Sequence, residues 1–141
     1  MNERDAQRRL AEARVARLAT ADERGRPHVV PICFAVDGDH LYSAVDHKPK
    51  RGPDLRRLDN LRANPAASVL VDHYEEDWDR LWWVRADGVA MVLEPEDARA
   101  GEERGRAVDL LARKYDQYAG RPPGGAVISL TLQSWRSWAP R

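Results

Sequence analysis

The chain has 141 residues, with Lys+Arg and Asp+Glu both at 23, which suits one domain over residues 1–141 and leaves no net field to favour nucleic acid or an anionic membrane surface. No stretch approaches the ~18 consecutive apolar residues that span a bilayer, and the opening MNERDAQRRLAEARVARL lacks the apolar core of a signal peptide, so a soluble, cytoplasmic protein is expected. The single cysteine, Cys33, cannot form an internal disulfide and has no Cys or His partners at metal-ligand spacing.

In chain order, residues 3–13 predict a short charged helix. Val15 to Thr20 alternates and ends at the polar turn Ala21-Asp22-Glu23-Arg24-Gly25, a first strand. Pro27 to Val36, rich in Val, Ile and Phe, predicts a second strand that runs into the hairpin signal Asp37-Gly38-Asp39, and His40 to Val45 a third. Pro53 opens a helix with Leu55, Leu58 and Leu61 three residues apart. It closes at Asn64-Pro65 because proline disfavours helical geometry in the residue before it. Ala67 to Val71 follows as a fourth strand. Leu81 to Leu93 has the length of two ordinary strands, and Asp87-Gly88 inside it predicts a bulge or sharp bend.

Glu94-Pro95-Glu96-Asp97 reads as a helix start with acidic residues at its positive end. From Glu96 to Tyr118 the apolar Val108, Leu111, Tyr115 and Tyr118 share one helix face. Arg121-Pro122-Pro123-Gly124-Gly125 stops that helix, and Ala126 to Leu132 alternates into a last strand that ends in Trp135-Arg136-Ser137-Trp138. Six strands in one antiparallel barrel, with helices inserted at two crossings, is the economical architecture.

Few residues suggest hydrolysis: there is no G-x-S-x-G, no Ser/His/Asp arrangement and no separated acid pair. The acidic loop Asp72 to Asp79 lacks the calcium-loop pattern with its glycine and reads as solvated, so no metal is expected. Trp78, Trp82, Trp83, Trp135 and Trp138 make the chain Trp-rich. As successive strand residues, Trp82 and Trp83 must face opposite sides, one toward the core and one toward a groove or partner.

Arg17-Leu18-Ala19-Thr20, then Gly25-Arg26-Pro27-His28-Val29-Val30-Pro31, then the Asp37-Gly38 hairpin and a basic helix ending in Asn64-Pro65 form an ordered set. It resembles the pyridoxamine 5'-phosphate-oxidase-like split-barrel superfamily, and within it the small deazaflavin-dependent oxidoreductases that use coenzyme F420. The likeness spans residues 10–138. It implies a six-stranded antiparallel split β-barrel with peripheral helices, a homodimer, and a cofactor in the groove between two subunits. The ring would lie along the second and third strands and the phosphate against basic residues of the third strand and the following helix. Relatives place a phosphate-binding Lys or Arg eight residues before the proline that ends the helix, a position held here by Arg57. Lys50, Lys48 and Arg51 are the next candidates. Where relatives often carry Ser or Thr two residues before that cation, this chain has Leu55, and Lys48-Pro49-Lys50 elaborates the loop.

Elementary chemistry points the same way. Between His47 and Arg62 stand six cations (Lys48, Lys50, Arg51, Arg56, Arg57, Arg62) against two anions (Asp54, Asp59), a local net of +4. A phosphate with an anionic tail needs forked donors and neutralising charge, with help from the helix N-terminus near Pro53. A deazaflavin or flavin ring needs a flat apolar wall and backbone donors and acceptors. Val30 to Phe34, including Pro31, Ile32 and Cys33, can supply both. Pro31 removes one ladder donor, which puts its strand at an edge or makes it irregular there. His28 is a candidate ring or substrate contact. Cys33 is expected as a small core residue, since no basic neighbour is visible to activate its thiol.

The resemblance therefore implies an oxidoreductase that moves a hydride from reduced F420 to an unsaturated or conjugated organic substrate, with no obligatory catalytic side chain assigned. An FMN-dependent oxidase or reductase of the same fold is the alternative. A non-catalytic flavin or haem carrier, with His47 or His73 as axial ligand, is a third reading.

Overall fold

The computed structural model describes residues 1–45 and 53–141, with only the backbone of 53–55. Helix α1 (Glu3–Glu12) opens on a capping box in which the Asn2 side chain accepts from the Asp5 N–H and the Asp5 carboxylate accepts from the Asn2 N–H. It is followed by β1 (Ala16–Ala21), β2 (Pro27–Ile32), β3 (Ala35–Asp37), β4 (His40–Ala44) and α2 (Pro53–Ala63). Then come β5 (Ala66–His73), a 3-10 turn (Trp78–Arg80), β6 (Trp82–Leu93), a second 3-10 turn (Ala98–Ala100), α3 (Gly101–Lys114), α4 (Asp116–Gly120) and β7 (Val127–Trp138).

The strands form one antiparallel sheet in the order β2-β1-β5-β6-β7-β4-β3. Its two edges, β2 and β3, are joined by Cys33 and Phe34 alone. From Ile32 to Ala35 is three residue steps, a reach of at most ~11 Å, so the sheet must curl until its edges meet at that corner, which is the split barrel. Among the described residues seven strands stand where six were expected, because Pro27 to Val36 breaks after Ile32. Phe34 is fully buried, and its N–H donates to the Tyr115 hydroxyl at 3.0 Å. That hydroxyl lies 3.0 Å from each of the Phe34 and Arg14 carbonyls and can donate to one at a time. Tyr115 itself is extended (φ −120°, ψ 119°), and this splits the helix expected over 96–118 into α3 and α4. Asp97 caps the preceding 3-10 turn instead of starting the long helix.

The bulge expected at Asp87-Gly88 is present. Asp87 faces Ser134 and Gly88 faces Leu132, so Gln133 is the extra residue on β7. A Cβ on Gly88 would stand 1.8 Å from the Thr131 carbonyl oxygen, so only glycine permits this approach of β6 and β7. The last strand also runs on through Trp138, well beyond Leu132.

Period-two alternation gives the sheet two faces. Leu18, Val69, Val84, Ile128 and Leu130 point into the barrel with Phe34, and α1 closes one end through Ala6 and Leu10. A smaller cluster lies on the outer face, where Ala107 and Leu111 of α3 cover Tyr42, Ala44, Leu93 and Val127. There Glu103 accepts from the Tyr42 and Ser129 hydroxyls, both at 3.0 Å. Burial, reinforced by that carboxylate, pushes the Tyr42 phenol up to about 12. The helices thus cover the β3-β4-β7 part of the outer face and leave the β2-β1-β5-β6 part open.

Candidate functional site

The candidate ring residues lie on β2, which is an edge strand as Pro31 implied. Alternate backbone groups of an edge strand have no ladder partner. Val29 and Pro31 face outward, with Val29 60% exposed, whereas Ile32 is buried in the barrel core. The wall is therefore the outer face of β2 alone. His28 points to the inner side opposite Thr20, and its Nδ1 is buried without a hydrogen-bond partner. Thr20 accepts from Asn60 of α2 at 3.1 Å, so His28 belongs to the layer under α2.

Cys33 is exposed, contrary to the core position expected, because the chain turns there from one sheet edge to the other. It also has a basic neighbour that sequence reasoning missed. Lys114 Nζ donates to the Ala11 carbonyl at 3.1 Å and lies 3.9 Å from the Phe34 ring centre. Burial and repulsion from Arg14 lower its ammonium from 10.5 to about 8, and nearby Cys33 offsets this in part. Lys114 stands eighty residues from this corner in sequence, and only the Tyr115 anchor beside it brings it there, so no local pattern marks it.

Of the phosphate candidates, Arg57 sits on the inward face of α2 with Leu58, Asn60 and Leu61 and is only 7% exposed. Burial that deep differs from the open clamp a solvated basic face would provide. Arg56 is exposed. Arg62 is ion-paired with Asp59 at 3.4 Å and also with Glu94, so two carboxylates compensate its charge. Lys48, Lys50 and Arg51, like His47, lie outside the described residues. His73, at the end of β5, is exposed and hydrogen-bonded to Glu75, which lowers the Glu75 carboxyl.

The open outer face carries a groove of about 450 Å³ lined by Leu70, Asp72, Tyr74, Trp83 and Arg85. Trp83 lines it while Trp82 packs against the barrel core, the division expected of successive strand residues. Beside the groove, Asp87 accepts from Ser68 at 2.6 Å and Arg85 Nε at 3.1 Å, and from Ser134 at 3.3 Å. Burial pushes the Asp87 carboxyl up, but the Ser68 bond and the Arg85 charge outweigh it and hold the group below its ordinary value. The groove can hold a flat organic molecule against Trp83, with Asp72, Tyr74 and Arg85 as polar contacts.

The family model of pyridoxamine 5'-phosphate oxidase matches residues 3–139. Among solved structures, a FAD-binding protein from Mesorhizobium loti is 25% identical, with a TM-score of 0.71 over 97% of this chain and 94% of that chain. A conserved hypothetical protein from Mycobacterium tuberculosis is 22% identical, with a TM-score of 0.75 over 99% and 85% of the two chains. The haem storage protein HutZ from Vibrio cholerae is 17% identical, with a TM-score of 0.70 over 97% and 93%. The last two likenesses show the fold alone. No curated protein matches the chain.

Proposed function

Since this chain belongs to the pyridoxamine 5'-phosphate oxidase family, we propose that it is a homodimeric oxidoreductase that moves a hydride from reduced coenzyme F420 to an unsaturated or conjugated organic substrate. The observation that carries the reading is the open edge of β2, where unladdered backbone groups adjoin the exposed apolar Val29 and Pro31. A planar tricyclic ring needs that combination. When bound, the deazaflavin supplies the hydride.

The chain's own residues bind and orient. The outer face of β2 forms the wall, and β2 backbone groups meet the ring's polar edge. The cations of the 47–62 segment would hold the phosphate and the anionic tail. That segment's net +4 favours the deazaflavin, which carries more negative charge than FMN. With Arg62 compensated by carboxylates, the weight falls on Lys48, Lys50, Arg51 and Arg57. The second copy would close the groove from the open outer face, where Val29, Leu70, Val89 and Met91 are all exposed. Several large apolar side chains exposed on one uncovered sheet face favour association there.

The 25% likeness to a FAD-binding protein favours the FMN alternative, since both cofactors share a tricyclic ring. The test is to mix the protein with a conjugated enone and reduced F420 carrying deuterium at its transferable position. Deuterium on the product carbon is expected. Turnover with reduced FMN, while reduced F420 is consumed no faster than without protein, would replace the deazaflavin reading with the flavin one.

A further inference from the structure

A second cleft, of about 420 Å³, opens at the end of the barrel closed by α1 and is lined by Arg9, His73, Arg80 and Trp82. The geometry points to an accessory site there for a small organic anion, a phosphate or carboxylate carried on an aromatic body. The inference does not rest on the proposed redox function.

Arg9 is the reason. It is held in place because Ala6 and Leu10 on either side anchor α1 to the core and the capping box fixes the start of the helix. Its guanidinium carbon lies 4.6 Å from the centre of the Trp82 ring, a stacked cation–π contact. Its Nη1 is buried and has no acceptor among the described residues, and no ion pair there neutralises it. A buried guanidinium whose charge no carboxylate offsets costs free energy, and an anion bound in the cleft beside it would compensate that charge. By contrast, neighbouring Arg8 pairs with Asp5 at 3.6 Å.

The rest of the lining suits the same ligand. Arg80, at the end of a 3-10 turn capped by Asp77, adds a second guanidinium whose side chain is 70% exposed and able to swing inward. The Glu75 carboxylate is engaged by the Nε of Arg80 at 3.6 Å and by the His73 ring. Trp82 and the His73 ring opposite it in the β5–β6 ladder offer flat surfaces to an aromatic body. The volume falls in the ordinary small-molecule range.

The cleft also lies at the opposite end of β5 from the C-terminus of α2. Strand β5 runs eight residues from Ala66, next to the end of α2, to His73, a span of about 23 Å. Trp82 faces the barrel side of the sheet, away from the open outer face where a second copy would sit.

The test is a titration of the full-length protein with phenyl phosphate, followed by the indole N–H resonance that disappears in Trp82→Phe. One saturable site per chain is expected. Arg9→Ala and Arg80→Ala should each weaken it about tenfold or more, the loss for a charge-assisted hydrogen bond. Arg8→Ala and Arg57→Ala should leave it unchanged, and inorganic phosphate should bind more weakly than phenyl phosphate. Should Arg9→Ala fail to fold, the exposed Arg80→Ala carries the test. Wild-type affinity in Arg80→Ala and any folded Arg9→Ala, or an equal loss in Arg57→Ala, would overturn the assignment.

Discussion

Replacing Gly88 with alanine should disrupt the crossing of β6 and β7 on which both faces of the sheet depend. The added Cβ would stand 1.8 Å from the Thr131 carbonyl oxygen and 2.8 Å from its carbon. Ordinary contact begins near 3.4 Å, so β7 would have to retreat by about 1.6 Å. The obstacle is backbone, held in the ladder by the Gly88↔Leu132 and Val89↔Thr131 pairs next to the bulge, so no side-chain rotation relieves it. Losing one or two ladder hydrogen bonds at ~1 kcal/mol each, added to an overpacking cost of ~1–3 kcal/mol, gives roughly 2–5 kcal/mol. For a chain of this size that lowers the melting temperature by roughly 10 °C. Thermal unfolding followed by circular dichroism measures it. Gly105→Ala in α3, where a Cβ meets nothing within 4 Å, should instead stabilise by ~0.5–1 kcal/mol. A Gly88→Ala protein melting within about 2 °C of wild type would refute the close-approach argument.

Other outcomes follow from the same contacts. Glu103→Ala should cost about 2 kcal/mol by orphaning the Tyr42 and Ser129 hydroxyls, and an ultraviolet titration should show the Tyr42 phenol falling from about 12 toward 10.0. Because that phenol is raised on folding, its stabilisation is complete below pH 10 and is lost as pH rises through 12. Reductive methylation with a carbon-13 label should give one lysine signal, absent in Lys114→Arg, that titrates near 8; a value near 10.5 would contradict the half-buried placement. Met91→Glu, on the open outer face, should shift the protein from dimer to monomer in light scattering, and a wild-type monomer at micromolar concentration would remove the dimer proposal. Arg57→Ala should weaken F420 binding by ~1.5–3 kcal/mol, and unchanged binding would leave Arg57 with a purely structural role under α2.

Where the fold was legible, the signals were local and covalent in origin. Gly25 and Gly38 adopt positive φ, 81° and 60°, at the turns their neighbours marked. Pro65 ends α2 where proline must, and Asp87-Gly88 marks the bulge. What was not legible depends on tertiary partners. The hydroxyl of Tyr115 takes up the backbone of Phe34 and in doing so breaks both the long apolar strand before it and the long helix around it. No window of sequence contains both residues. The same corner turns Cys33 outward and brings Lys114 near it. On the site, charge density marked the 47–62 segment, but charge does not set the rotation of a helix about its axis. Arg57 is therefore buried with Leu58 and Leu61 while Arg56 is exposed, and Arg62 is tied to Asp59 and Glu94. In sequence Arg9 is one charge of the short charged helix over 3–13, because the cleft it lines is assembled only when β5, β6 and α1 meet.

Equilibrium titration of the purified protein with coenzyme F420 and with FMN, each at low and at high ionic strength, tests the proposed cofactor most directly. The cations of the 47–62 segment should track an extended anion better than a single phosphate. F420 should therefore bind more tightly at low salt and lose affinity more steeply as salt screens the larger number of exposed charge pairs. Tighter binding of FMN at every salt concentration would contradict the deazaflavin assignment.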